Sequence, residues 1–161
     1  MKDMVLTRRA WVVALGRTLA AGAAAGMFLP VRAQATGGAT LTVYKDPSCG
    51  CCTKWIEHLR ASGLQPVVHD RTDMDALKDS LGVPATLRSC HTAIAGKYVV
   101  EGHVPARDIK RLMDTAPKGI VGIAVPGMPV GSPGMEMGGR ADRYDVIAFA
   151  ANGATKMFAR H

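Results

Sequence analysis

An α/β fold with the element order β-α-β-α-β-β-α, finished by residue 115, is predicted for this 161-residue chain. Three observations predict it. Short strand-like runs alternate with segments of helical spacing. A cysteine-rich turn stands where the first strand gives way to the first helix. A short hairpin followed by a helix then closes the pattern, an alternation that belongs to mixed α/β architectures.

The elements follow in order. Leu41-Thr42-Val43-Tyr44 reads as a buried strand. Asp46-Pro47-Ser48 has the chemistry of a helix start, and Cys52, Trp55, Ile56 and Leu59 then fall on one helical face. Gly63 ends that helix. Pro66-Val67-Val68-His69 is a second strand, and Asp73 to Leu81 a second helix, capped by Thr72 or Asp73 and closed by Gly82-Val83-Pro84. Thr92-Ala93-Ile94 and Tyr98-Val99-Val100 form a hairpin about Gly96-Lys97, and Pro105 opens a third helix through Met113. This order resembles a thioredoxin-like fold. The rest is an addition: a Met/Gly/Pro loop from Gly127 to Gly139, then a C-terminal hairpin of Tyr144–Ala150 and Thr155–Arg160 around Asn152-Gly153. There is no internal repeat.

Residues 1–35 read differently, as a signal peptide. Arg8 and Arg9 precede a nearly uncharged Ala/Gly-rich run broken by Arg17, and Ala33-Gln34-Ala35 has the small-x-small form of a cleavage site, with cleavage after Ala35 or Ala33. A spanning helix needs roughly 20 predominantly apolar residues, so no stable membrane anchor is expected after cleavage. Thr7-Arg8-Arg9-Ala10-Trp11-Val12 is similar to a twin-arginine export signal. A periplasmic location follows, with residues 36–161 as one domain. Five basic residues against one acidic residue give the leader +4 of the formal +7, leaving +3 for the domain. That weak, dispersed charge has no Lys/Arg run and no basic-aromatic interleaving, which argues against nucleic acid as a partner.

The chemistry lies in the cysteines. Cys49, Cys51 and Cys52 occupy the strand-to-helix junction, where backbone N–H groups stabilise thiolates. Cys49 and Cys52 alone form a redox-type Cys-x-x-Cys pair, and a thiol–disulfide oxidoreductase using them is the alternative reading. The third thiol, Cys51, suits metal binding better than simple dithiol exchange. By analogy with thioredoxin-like folds, in which the segment before the hairpin faces the Cys-x-x-Cys turn, Cys90 and the adjoining His91 join the site. Zinc sites pair separated Cys or Cys/His knuckles, and this chain has no second one; iron–sulfur spacings do not match either. Copper(I) accepts thiolates and thioethers. One such ion among four thiolates carries about −3, a poor balance inside a protein, so more than one copper(I) ion is expected. Met128, Met135 and Met137 in the loop are further soft ligands to weigh, as is His103 in Glu101-Gly102-His103-Val104-Pro105; His58 and His69 read as structural.

Together, Tyr44-Lys45-Asp46-Pro47-Ser48-Cys49-Gly50-Cys51-Cys52, Ser89-Cys90-His91-Thr92, Glu101-Gly102-His103-Val104-Pro105 and Pro126 to Met137 resemble the CopG-type periplasmic proteins, across essentially all of residues 41–161. The resemblance implies a thioredoxin-like fold, copper binding through Cys49, Cys51, Cys52, Cys90 and His91, and a role in copper resistance. It implies copper ions, and other periplasmic copper-handling proteins, as partners. It leaves open whether the chain is an enzyme.

Overall fold

A computed structural model describes residues 38–161; the expected signal peptide and its cleavage site lie outside them. The strands are β1 (Thr40–Lys45), β2 (Gln65–Asp70), β3 (His91–Ala95), β4 (Tyr98–Glu101), β5 (Gly122–Ala124), β6 (Asp145–Phe149) and β7 (Thr155–Arg160). The helices are α1 (Gly50–Ala61), α2 (Met74–Ser80) and α3 (Ala106–Thr115), with a 3-10 turn at Ala85–Leu87. Up to Thr115 this is the predicted element order.

All seven strands form one sheet in the order β2-β1-β3-β4-β5-β6-β7. β1 runs parallel to β2 and antiparallel to β3, and β4 runs antiparallel to β3. The sequence reading has no counterpart of β5. This three-residue strand, Gly-Ile-Ala, is too short to show a period, yet it is wholly buried and pairs parallel to β4 and antiparallel to β6. The C-terminal hairpin is therefore not a separate addition: through β5 it extends the central sheet.

Side-chain alternation divides the core between the two faces. Val100, Ile123 and Ala148 pack with Trp55, Ile56 and Leu59 of α1 and with Ile109 and Leu112 of α3. Their sequence neighbours Val99, Ala124 and Phe149 pack on the other face with Val83 and Leu87, just beyond α2. The buried face of α1 is the predicted one: Cys52, Trp55, Ile56 and Leu59. Its start differs from expectation. Asp46 Oδ1 accepts the Ser48 N–H at 2.8 Å and so makes a turn ahead of the helix, while Cys49 takes the N-cap position with no side-chain cap. Its end matches: Gly63 N–H donates to Arg60 O and Leu64 N–H to Leu59 O, the paired bonds of a Schellman close. Two side chains of α1 then hold the approach to α3. Trp55 Nε1 donates to Val104 O at 2.9 Å, and His58 Nε2 accepts the Ala106 N–H at 3.1 Å, satisfying a first-turn amide that Pro105 cannot cap.

Candidate metal centre

The site lies where the β1–α1 turn meets the start of β3. Because α1 begins at Gly50, Cys51 and Cys52 occupy its first turn, which contains no acidic side chain to oppose a thiolate. Cys52 also belongs to the buried face of α1, so its sulfur is directed inward. The segment that carries Cys90 reaches the site because β3 is the antiparallel neighbour of β1, with His91 opposite Lys45.

Cys49 and Cys52 are joined in a disulfide, with Cα atoms 5.5 Å apart, and Cys51 and Cys90 are free thiols. Cys51 Sγ stands 3.4 Å from Cys49 Sγ and 3.7 Å from Cys90 Sγ; Cys90 Sγ stands 3.6 Å from Cys52 Sγ. Two imidazoles complete the surroundings of Cys90: His91 Nδ1 at 3.3 Å and His103 Nε2 at 3.2 Å. Two groups of donor atoms result, Cys49–Cys51–Cys52–Cys90 and Cys90–His91–His103, each within 4.8 Å and sharing the Cys90 sulfur. Four sulfurs about 2.3 Å from a single metal ion would stand roughly 3.8 Å apart. The donor set therefore fits a soft metal without large rearrangement once the disulfide is reduced.

Burial controls the protonation of this cluster. Desolvation, and then the neighbouring Cys51, push the Cys90 thiol up to about 12. Burial holds His91 well below its ordinary value, with His103 and Lys78 adding to the effect; burial also lowers His103. At neutral pH Cys90 therefore keeps its proton and both imidazoles are neutral, the form in which imidazole ligates metals. His91 is packed against Trp55 with ring centroids 4.2 Å apart, and His103 meets it edge-on at 4.8 Å. His91 Nε2 is buried without a partner. His103 Nδ1 bonds Pro133 O at 2.8 Å. Since a carbonyl only accepts, Nδ1 carries the proton and Nε2 presents its lone pair to Cys90.

The structure thus brings together all five residues singled out for the site, Cys49, Cys51, Cys52, Cys90 and His91, and adds His103. The signals for His103 were its place just after the hairpin and the Met-rich loop that supplies its backbone partner. That loop touches the site through Pro133 and through Gly134, which is seated against the backbone of Cys51 and Trp55. Its methionines differ in exposure: Met128 is 52 % exposed and Met137 71 %, with Met135 half-buried.

A family described as "Protein of unknown function, DUF411" matches residues 87–135, the span that holds Cys90, His91 and His103. A solved structure titled "Copper resistance protein copG- Form 1" is 47% identical, with a TM-score of 0.73, over 77% of this chain and 98% of that one. The chain belongs to the CopG family. A second CopG structure, Form 2, is 46% identical with a TM-score of 0.74 and the same coverage. No curated protein matches. CopG membership, together with the Cys/His cluster of this chain, supports a copper-related role.

Proposed function

We propose that this CopG-family protein binds copper(I) in the periplasm as a cluster of more than one ion, and that it sequesters copper or cycles it between redox states in copper resistance. The observation that carries the reading is the position of Cys90. Its sulfur lies within 3.2–3.7 Å of two cysteine sulfurs and two imidazole nitrogens, the setting of a sulfur that bridges metal ions. Cys49, Cys51, Cys52, Cys90 and His91 are the proposed ligands, with His103 beside them. Several copper(I) ions sharing these thiolates bring the buried charge closer to neutrality than one ion does. A thioredoxin-like description of the first part of the sheet is supported by the strand order β2-β1-β3-β4 and by a Cys-x-x-Cys turn at the β1–α1 junction. Export is supported by the leader sequence. Among the described residues no helix is long and apolar enough to cross a membrane.

The Cys49–Cys52 disulfide favours a second reading, a thiol–disulfide oxidoreductase. The two readings meet at the same sulfurs, because a disulfide sulfur is no longer a thiolate ligand. Copper(I) uptake and disulfide formation should therefore compete. The test is mass spectrometry of alkylated protein, oxidised and reduced, with and without copper(I), together with bound copper per chain. Oxidised protein should take up at most residual copper, reduction should restore loading, and copper should protect all four thiols. Full uptake by protein with a mapped Cys49–Cys52 bond would remove these two sulfurs from the copper site. Reduction of disulfide substrates without copper, together with negligible copper binding, would favour the oxidoreductase.

A further inference from the structure

The proposed copper chemistry does not use a polar group buried on the opposite face of the sheet. Lys78 of α2, Thr92 of β3 and Glu101 of β4 are 3 %, 0 % and 0 % exposed. Lys78 Nζ donates to Glu101 Oε1 at 2.6 Å and to Thr92 Oγ1 at 2.8 Å, and Thr92 Oγ1 donates to Glu101 Oε2 at 2.6 Å. Stability alone does not explain a buried ion pair, since apolar side chains of similar volume often serve as well or better. A fourth bond suggests another role: Glu101 Oε1 also accepts the Ser89 backbone N–H at 2.6 Å.

Ser89 immediately precedes Cys90, in a stretch that belongs to neither helix nor strand. No sheet ladder fixes it, so its position depends on individual bonds. One runs from Ser89 Oγ to Gly127 O, and the Glu101 carboxylate supplies another. Glu101 also ends the strand that leads to His103, and the next residue's amide, Gly102 N–H, donates to His91 O at 2.9 Å. One carboxylate therefore links the segment bearing Cys90 and His91 to the segment bearing His103. All three donors to it require an acceptor, which a carboxylate supplies on both oxygens.

We propose that Glu101, held in place by Lys78 and Thr92, is a positioning residue that sets the Cys90 sulfur for metal binding through the Ser89 amide. This inference rests on the copper-site reading above. Replacing Glu101 alone leaves the Lys78 ammonium buried without its counter-charge and endangers the fold. The decisive variant therefore combines Lys78→Met, Thr92→Val and Glu101→Leu, which removes the charges together yet leaves the Ser89 amide without its acceptor. Glu101→Gln combined with Lys78→Met, which keeps an acceptor oxygen for the Ser89 amide and leaves no buried ammonium unpaired, is the companion and should keep the parental affinity. Copper(I) affinity is measured by competition with a chromophoric chelator, and stability by urea unfolding, on the purified reduced protein. Loss of a group that orients a metal ligand typically weakens affinity about 10–100-fold. The triple variant should show that loss even with its unfolding midpoint at the parental value. A purely structural role predicts that affinity returns with stability, so parental affinity in the folded triple variant overturns the proposal. If the parent itself takes up no copper(I), the copper reading fails separately. The alkylation rate of Cys90 relative to Cys51 in metal-free protein then decides: a faster Cys90 in the triple variant sustains the positioning role, and an unchanged ratio overturns it.

Discussion

Replacing Gly134 by Ala should detach the Met/Gly/Pro loop from the site. Gly134 has φ +86°, and a Cβ there would stand 2.7 Å from the Trp55 amide nitrogen and 2.9 Å from the Cys51 carbonyl oxygen. Both are backbone atoms of α1, so the loop has to give way. The left-handed conformation costs an L-residue roughly 1–2 kcal/mol. Displacing the loop also removes the 2.8 Å bond between His103 Nδ1 and Pro133 O, worth about 1 kcal/mol. The expected loss is about 2–3 kcal/mol, well within the ~5–15 kcal/mol of a typical domain, so the fold persists. Gly139→Ala is the control: φ there is +79°, but a Cβ would meet nothing within 4 Å. It carries the backbone cost without the collision. Urea unfolding should rank Gly134→Ala as the more destabilised variant by about 1 kcal/mol. NMR should show the His103 Nδ1–H signal exchange-broadened only in Gly134→Ala. Equal stability of the two variants, with the His103 signal intact in both, would refute the claim that this loop is seated on α1.

Three further outcomes follow from the geometry. Cys90→Ser should lower the copper bound per chain more than Cys51→Ser, because Cys90 alone is shared by both donor groups; copper analysis of the reduced variants checks this, and equal losses would contradict the sharing. His58→Ala should cost about 0.5–2 kcal/mol, the usual effect of losing a helix-cap acceptor, and His58→Gln should recover part of it. Burial holds His58 below its ordinary value, so it contributes fully above about pH 6.5 and loses that contribution as the pH falls toward its folded value; the acid-side fall in stability should therefore be smaller in His58→Gln, and superimposable pH profiles would refute this. Gly122→Ala should destabilise by about 1–3 kcal/mol by overpacking, since a Cβ would stand 2.5 Å from Val99 O and closer still to the Phe149 ring; an unchanged thermal midpoint would contradict β5 as a central strand.

The sequence by itself determined the local elements and the cluster of three cysteines, while Cys90 and His91 enter the site from the sequence only by analogy with a fold. The face of α1, the order of elements to Thr115 and the Asn152-Gly153 turn of the last hairpin are legible because periodicity and turn chemistry act over a few residues. Cys49, Cys51 and Cys52 are legible as a cluster for the same reason, being neighbours on one turn. What only the tertiary structure decided is contact across the sheet. Cys90 meets Cys51 and Cys52 because β3 pairs with β1, and His103 joins them because β4 pairs with β3. The tautomer of His103 depends on Pro133, thirty residues further along the chain. β5 exists only because both its neighbours offer unpaired edges to a segment too short to show a period. Lys78, which reads as an ordinary charge on α2, lies buried against Glu101 because the strand alternation turns Thr92 and Glu101 toward that helix while Ala93 and Val100 face the other way. Spacing along a chain reports which side chains share a local face; the partner that face meets is set by strand order and register, which no window of adjacent residues contains.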